Sequence, residues 1–102
     1  MALPPLLRHI YNYGTEEVIR RGKRIFHTSG VSLLDIDHLL EQIRFRVRND
    51  MYHNYYTVTI NKYLHPEKLS VRCQCPYNLG EICRHEVAGL FQLHDMVQGG
   101  YF

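Results

Sequence analysis

All three cysteines of this 102-residue chain lie within thirteen consecutive residues, next to one of its seven histidines. The stretch reads Cys-x-Cys, then seven residues, then Cys-x-His, and the four residues are Cys73, Cys75, Cys83 and His85. Three thiolates and one imidazole are a common tetrahedral ligand set for structural zinc in proteins. The sequence therefore predicts one structural Zn²⁺ held by these four side chains.

The two pairs of ligands have spacings that suit a strand end and a helix start. On a strand, residues i and i+2 point to the same side, so Cys73 and Cys75 can face one metal ion. On a helix, the same spacing separates two side chains by about 200°. We therefore expect Cys83 to precede a helix and His85 to lie in its first turn. The metal would then join the strand to the helix and close the loop 76–82.

Four protein ligands leave no coordination position for water or a substrate, so we expect no hydrolytic catalysis at this metal. The chain also contains neither G-x-x-x-x-G-K-[ST] nor G-x-G-x-x-G, which argues against ATP hydrolysis and dinucleotide binding. Arg72 and Arg84 flank the ligands, and together with the positive helix N-terminus they would favour deprotonated sulfur. We expect a protein that is not an enzyme and has no small-molecule substrate.

Other interpretations of the cysteines stay open at this point. The thiols can be buried core residues, with the histidine on the surface. A disulfide between Cys73 and Cys75 fits the required torsion angles badly on adjacent strand positions. A redox pair normally uses Cys-x-x-Cys, which is absent. A metal-dependent enzyme would need an open coordination position.

Composition places the chain among small globular domains, with 45% hydrophobic and 22% charged residues and a net charge of +2. We expect residues 1–102 to form a single small domain. No run approaches the roughly 20 apolar residues that span a bilayer, so no membrane partner is expected. Clustered cysteines without a recognisable export signal favour a reducing, cytoplasmic setting. The end of the sequence shows no obvious stop, and we expect the chain to be a piece of a longer protein.

Residues 1–30 are predicted to be helical. A short helix should run to about Tyr13, and Thr15 is a good N-cap for a second helix that runs to about His27. Gly22 interrupts the apolar stripe of the second helix, where a glycine usually lets another element approach closely. Gly30 is expected to stop this helix.

Residues 31–102 are predicted to form a sheet followed by a helix. Apolar and polar residues alternate with the period of two at 43–48, 55–60 and 69–73, and residues 31–38 can add a shorter first strand. Short connections favour an antiparallel meander. A last helix from about Arg84 should direct Val87, Leu90, Phe91 and Val97 toward the core. The predicted fold class is α+β, with N-terminal helices, a small antiparallel sheet of three to four strands, and a zinc-pinned strand–loop–helix at the C-terminal end.

At the metal ligands the chain resembles a SWIM-type zinc finger, a family defined by Cys-x-Cys, a variable loop and Cys-x-His. Residues 71–77 resemble the family's strand that enters a Cys-Pro-Tyr turn, and residues 83–90 resemble its Cys-Lys/Arg-His opening of an Ala/Leu-rich helix. The resemblance covers roughly residues 56–93. Upstream, 21–26 followed by Gly30-Val31 is similar to the segment that often precedes SWIM fingers in bacterial proteins.

The resemblance implies zinc binding by the same four residues and a role as the N-terminal module of a bacterial Swi/Snf-type helicase. The motor of such a protein would lie downstream of this chain. SWIM fingers also occur in transposases and in some ubiquitin-ligase-related proteins, and they are generally proposed to bind DNA or protein. We therefore expect a non-catalytic DNA-targeting accessory domain. The alternative is a protein-interaction module that docks its host onto a partner or onto the host's own motor domain.

Two groups of basic residues are candidates for contact with nucleic acid. One group lies within five residues of the second helix and the other alternates along one predicted strand; they are Arg20, Arg21, Lys23 and Arg24, and Arg44, Arg46 and Arg48. If the helix lies beside that strand face, the seven cations would form one patch that can neutralise phosphates. Tyr52, Tyr55 and Tyr56 could stack on exposed bases. The alternative is a solvated helix and a solvated sheet face.

Overall fold

The computed structural model describes residues 5–49, 54–65, 67–75 and 82–100. Its elements, in chain order, are α1 (Pro5–Tyr13), α2 (Glu16–His27), β1 (Val31–Asp37), β2 (Gln42–Arg48), β3 (Tyr55–Asn61), β4 (Ser70–Cys73) and α3 (Arg84–Gln98). The predicted α+β class is therefore confirmed. Predictions for Tyr52 and for the loop 76–81 lie outside the described residues.

The four strands form an antiparallel meander in the order β1-β2-β3-β4. β1 has seven residues, as many as β2 and β3, so the expectation of a shorter first strand is wrong. The central part of one face of the sheet is buried because the apolar residues of β2 and β3 alternate with polar ones. The buried residues of that inner face are Ile43, Phe45, Val47, Val58 and Ile60.

Helix α3 covers the inner face of the sheet. A Cβ on Gly89 would lie 3.1 Å from Cγ1 of Val58 and 3.7 Å from Cδ2 of Phe45, so the helix backbone approaches the strands closely. Leu93 ends the buried stripe of the helix. Val97 lies one turn further on and is 42% exposed, so its predicted core position is wrong. The helical period places Val97 on the side of α3 that faces the core, but the buried part of the helix ends at Leu93.

Helices α1 and α2 both pack against α3. Gly22 of α2 makes this packing close: a Cβ there would lie 2.4 Å from Cγ1 of Val87 and 2.9 Å from the carbonyl oxygen of Arg84. The predicted role of Gly22 as a point of close approach is confirmed. The helical layer is therefore built on α3, whose other side rests on the sheet.

The C-terminus of α2 differs from its predicted form in one respect. The helix ends at His27, and Ser29 is the residue with left-handed backbone geometry, at φ 58°. Its N–H donates to the carbonyl oxygen of Phe26, and the N–H of Gly30 donates to that of Ile25, which is a Schellman arrangement. Gly30 is needed for space, because a Cβ there would lie 2.7 Å from Cγ2 of Ile25.

Candidate metal centre

The four predicted metal ligands come together in the folded chain. The donor atoms of Cys73, Cys75, Cys83 and His85 all lie within 4.8 Å of one another. His85 Nδ1 is 3.8 Å from Cys73 Sγ and 4.0 Å from Cys83 Sγ. Zn–S bonds of about 2.3 Å and a Zn–N bond of about 2.0 Å in a tetrahedron place sulfur and nitrogen about 3.5 Å apart. The residues present therefore fit one tetrahedral metal ion, and none of the cysteines forms a disulfide.

The ligands are positioned by the end of β4 and the start of α3, as their spacing predicts. Cys73 is the last residue of β4 and pairs with Val58 of β3, which fixes its side chain on the inner face. Cys75 follows two residues later and is buried. Cys83 is the N-cap of α3, and His85 is the second residue of the helix. A metal ion at this point would join an edge strand to the helix that covers the sheet.

Glu86 holds the backbone of Cys83 in place. Cys83 has an extended conformation, and its N–H donates a hydrogen bond of 2.8 Å to Oε1 of Glu86. The carboxyl group is 1% exposed, and burial raises its pKa. The spacing Cys-x-x-Glu is that of a capping box, in which the residue at N3 accepts from the N-cap backbone. The sequence carries this signal three residues after Cys83, but the predicted site did not include Glu86.

The surroundings of Cys83 oppose a thiolate unless a cation is bound. A hydrogen bond with Cys73, burial, and the nearby charges of Cys73 and Glu86 raise the pKa of the Cys83 thiol well above its usual range. Zinc binds cysteine as the thiolate, so metal binding must release protons here. The positive end of the α3 dipole also lies at this site and favours negative charge. A bound cation would offset the charge of three thiolates at this position.

Tyr56 packs against the site from β3. Its ring centroid is 4.9 Å from that of His85, with an angle of 45° between the ring planes. The side chain lies on the inner face with Val58 and Ile60, as the period of two requires. The contact between Tyr56 and His85 was not predicted. The alternation of residues 55–60 does predict that Tyr55 and Tyr56 lie on opposite faces of the strand. The tyrosine supports the imidazole, and its position is away from the face that carries the strand arginines.

The two arginines that flank the ligands in sequence lie in different environments. Arg84 is buried and donates to Oδ1 of Asn49 at 3.1 Å, which ties the start of α3 to the end of β2. Arg72 is exposed and pairs with Thr59, so it lies on the outer face of β4, opposite to Cys73. Arg84 is therefore held between α3 and the residue that follows β2, whereas Arg72 belongs to the outer surface of the sheet.

The four candidate nucleic-acid residues of α2 belong to the helical layer. Lys23 lies over two aromatic rings, with its Nζ 5.8 Å from the centroid of Tyr11 and 5.7 Å from that of Phe91. Arg20 borders a shallow groove that also contains Glu16. Arg24 is exposed and Arg21 is half-buried.

The three candidate arginines of β2 share the outer face of the sheet, as the period of two predicts. Arg44 pairs with Asp35 through hydrogen bonds of 2.9 and 3.0 Å. The guanidinium carbon of Arg46 is 3.9 Å from the ring centroid of Tyr55. Arg48 donates to Oγ1 of Thr28 at 2.6 Å, just beyond the end of α2.

The two basic groups lie on different layers of the fold and approach each other where Arg48 contacts Thr28, just beyond the end of α2. The body of α2 packs on α3, and α3 covers the inner face of the sheet, whereas the strand arginines lie on the outer face. The geometry therefore separates a helical set from a strand set. Contact of either set with nucleic acid stays a prediction.

Comparison with protein-family models, with curated proteins and with solved structures finds no match for this chain. Among the helices of the described residues, none combines the length and the apolar character that crossing a membrane requires.

Proposed function

We propose that this chain is a structural zinc-binding module of the SWIM type. The convergence of three thiols and one imidazole, from a strand end and a helix start, carries the proposal. The donor set is complete with protein atoms, so a bound zinc ion has no position for a substrate. The proposed role of the metal is to hold β4 against α3, and the module itself is non-catalytic.

The proposed partner is nucleic acid, with the module acting as a DNA-targeting accessory domain of a Swi/Snf-type helicase. The Cys-x-Cys and Cys-x-His pattern supports the family assignment, and the outward-facing arginines of β2 support a polyanionic partner. In this arrangement zinc organises the fold and surface residues make the contacts. The motor activity would belong to the longer host protein.

A second candidate function is protein docking, onto a partner or onto the host's own motor domain. Exposed leucines on β1 and in the turn after it favour this alternative. Leu39 is 95% exposed, and Leu33, Leu34 and Leu40 are also exposed. Apolar side chains on a protein surface are more useful at a protein interface than against phosphates.

Metal content is the first measurement that tests the proposal. We expect native mass spectrometry of protein purified without chelator to show one zinc per chain. The metal should be lost together with folded structure on acid denaturation, because protonation of the thiolates and imidazole releases it. A metal-free chain that remains well folded would contradict the zinc proposal.

Nucleic-acid binding is tested separately by electrophoretic mobility shift over a salt series. We expect the zinc-loaded chain to shift oligonucleotides at low salt and to lose affinity as salt rises, because phosphate contacts release counterions. No shift at low salt, with zinc present, would remove the nucleic-acid role and favour protein docking.

A further inference from the structure

The outer face of the sheet is a basic surface with one exposed aromatic ring. We define the arginine face as the outward side chains Arg44, Arg46, Arg48, Tyr55, Thr57, Thr59 and Arg72. Strand register fixes their order: Arg44, Thr59 and Arg72 lie in one row across three strands. Arg46 lies beside Thr57, and Arg48 lies beside Tyr55.

The arginine face keeps an excess of positive charge after its internal pairs are counted. Asp35 neutralises Arg44, and Asp37 accepts hydrogen bonds from the backbone N–H groups of Leu39 and Leu40 at the corner of the sheet. Arg46 and Arg72 are exposed and have different neighbours: Arg46 has a tyrosine ring and Arg72 a threonine. Successive outward residues on a strand are about 6.7 Å apart. The face therefore keeps two exposed arginines, Arg46 on β2 and Arg72 on β4, and each can contact a phosphate.

The contact between Arg46 and Tyr55 makes this face suitable for binding bases as well as phosphates. A guanidinium group stacked on an aromatic ring keeps its in-plane N–H groups available to donate to an anion. Tyr55 itself is 51% exposed, so part of its ring remains accessible. An unstacked base can pack on the ring or on the guanidinium plane while a neighbouring phosphate accepts from Arg46.

The shape of the surface favours a single strand over a duplex. Four strands at about 4.8 Å spacing make a sheet about 14 Å wide, which is broader than a B-DNA major groove of about 12 Å. The sheet face can reach only the outer phosphates of a duplex, whose bases are stacked inside. A single strand offers both phosphates and base faces to a four-stranded sheet.

The same face is a poor surface for a protein partner. Apart from Tyr55, the outward residues of β2, β3 and β4 are polar or charged, and the leucines that favour protein docking lie on β1 and its turn. Protein interfaces need an apolar centre from which charged residues are largely excluded.

We propose that the arginine face binds single-stranded nucleic acid, with Tyr55 stacking on a base and Arg46 and Arg72 contacting phosphates. This inference rests on the proposed nucleic-acid role and specifies its surface and its ligand class.

Fluorescence anisotropy with the full zinc-loaded chain tests the proposal. The probes are a labelled single-stranded oligonucleotide of about twelve nucleotides and the duplex of the same sequence. Tyr55→Ala should weaken single-strand binding about 5- to 150-fold, the fold-change that corresponds to one lost stack. Tyr55→Phe should keep most of the affinity, because the ring remains.

A charge-matched pair of double variants locates the surface. The affinity for a single strand falls as salt rises, and the slope is that of log K against log salt concentration. Arg46→Ala with Arg72→Ala should reduce the magnitude of this slope by about 1.4, since each lost phosphate contact accounts for about 0.7. Arg20→Ala with Arg24→Ala removes the same charge from α2 and should change that slope little. Each variant is first checked for one zinc per chain and for an unchanged unfolding midpoint.

The outcomes separate this inference from the proposed function. If affinity falls only in the double variant Arg20→Ala with Arg24→Ala, nucleic-acid targeting stands and the arginine face is the wrong surface. If the duplex binds more tightly than the single strand, the ligand class is wrong. If neither probe binds at low salt, both the inference and the nucleic-acid role fail, while the zinc proposal is unaffected.

Discussion

Replacing Cys83 with Ser is expected to abolish metal binding and to disorder the segment that the metal would join. Cys83 is the N-cap of α3, and serine is a preferred N-cap residue, so the substitution keeps a capping side chain and removes a thiolate. Structural zinc contributes about 10–16 kcal/mol in finger peptides. A domain of this size has about 5–15 kcal/mol of total stability. We therefore expect the segment that contains the ligands, about 70–90, to lose its ordered structure in this variant.

Amide hydrogen exchange with native mass spectrometry measures this effect. We expect zinc to fall below one per chain and the amides of β4 and the first turn of α3 to exchange fast. His85→Ala should behave in the same way. His94→Ala provides the control, because His94 lies on the same helix, is half-buried and is not among the clustered ligands. Unchanged, well-dispersed amide spectra for Cys83→Ser or His85→Ala would show that the four residues do not hold a structural metal.

Gly22→Ala is expected to destabilise the chain by about 2 kcal/mol or more. The new Cβ would lie 2.4 Å from Cγ1 and 2.6 Å from Cβ of Val87, and 2.9 Å from the backbone oxygen of Arg84. Neither a backbone carbonyl nor a Cβ can move aside without shifting the helix. The destabilisation caused by these close contacts should exceed the stabilisation of about 1 kcal/mol that alanine gives relative to glycine in a helix interior.

Urea unfolding of the zinc-loaded chain gives this free energy directly. Gly99→Ala is the control, because a Cβ there would lie 3.2 Å from the carbonyl oxygen of Asp95 and its φ is −80°. We expect the control to change the free energy of unfolding much less than Gly22→Ala does. An equal or higher stability for Gly22→Ala would mean that α2 and α3 are further apart than described.

The convergence of the four side chains could be predicted from the sequence because its signal is local and chemically specific. Cysteine is scarce in this chain, and the two-residue spacings have different meanings on a strand and on a helix. The alternation of residues 43–48 likewise predicted which arginines share a face, since the period of a strand depends only on chain geometry. These features can be predicted without knowing which helices and strands pack against each other.

Features that depend on contacts between distant residues could not be predicted in the same way. The contact of Tyr56 with His85 joins β3 to α3, and the position of α2 depends on Gly22 meeting Val87. Sequence alone left the helical and strand cations as one conditional patch because it does not specify which face of the sheet a helix covers. Ser29 was missed for another reason: glycine at position 30 is the stronger left-handed signal, but it is needed there for space.

The two ligand pairs also have a consequence for changes in chain length. Cys75 and Cys83 mark the two ends of the segment 76–82, and a metal ion would fix both ends whatever the number of residues between them. Doubling the length of a flexible loop costs only about 0.6 kcal/mol in closure entropy. Adding residues between Cys75 and the buried Ile82 is therefore expected to leave β4 and the start of α3, which carry the clustered side chains, in place.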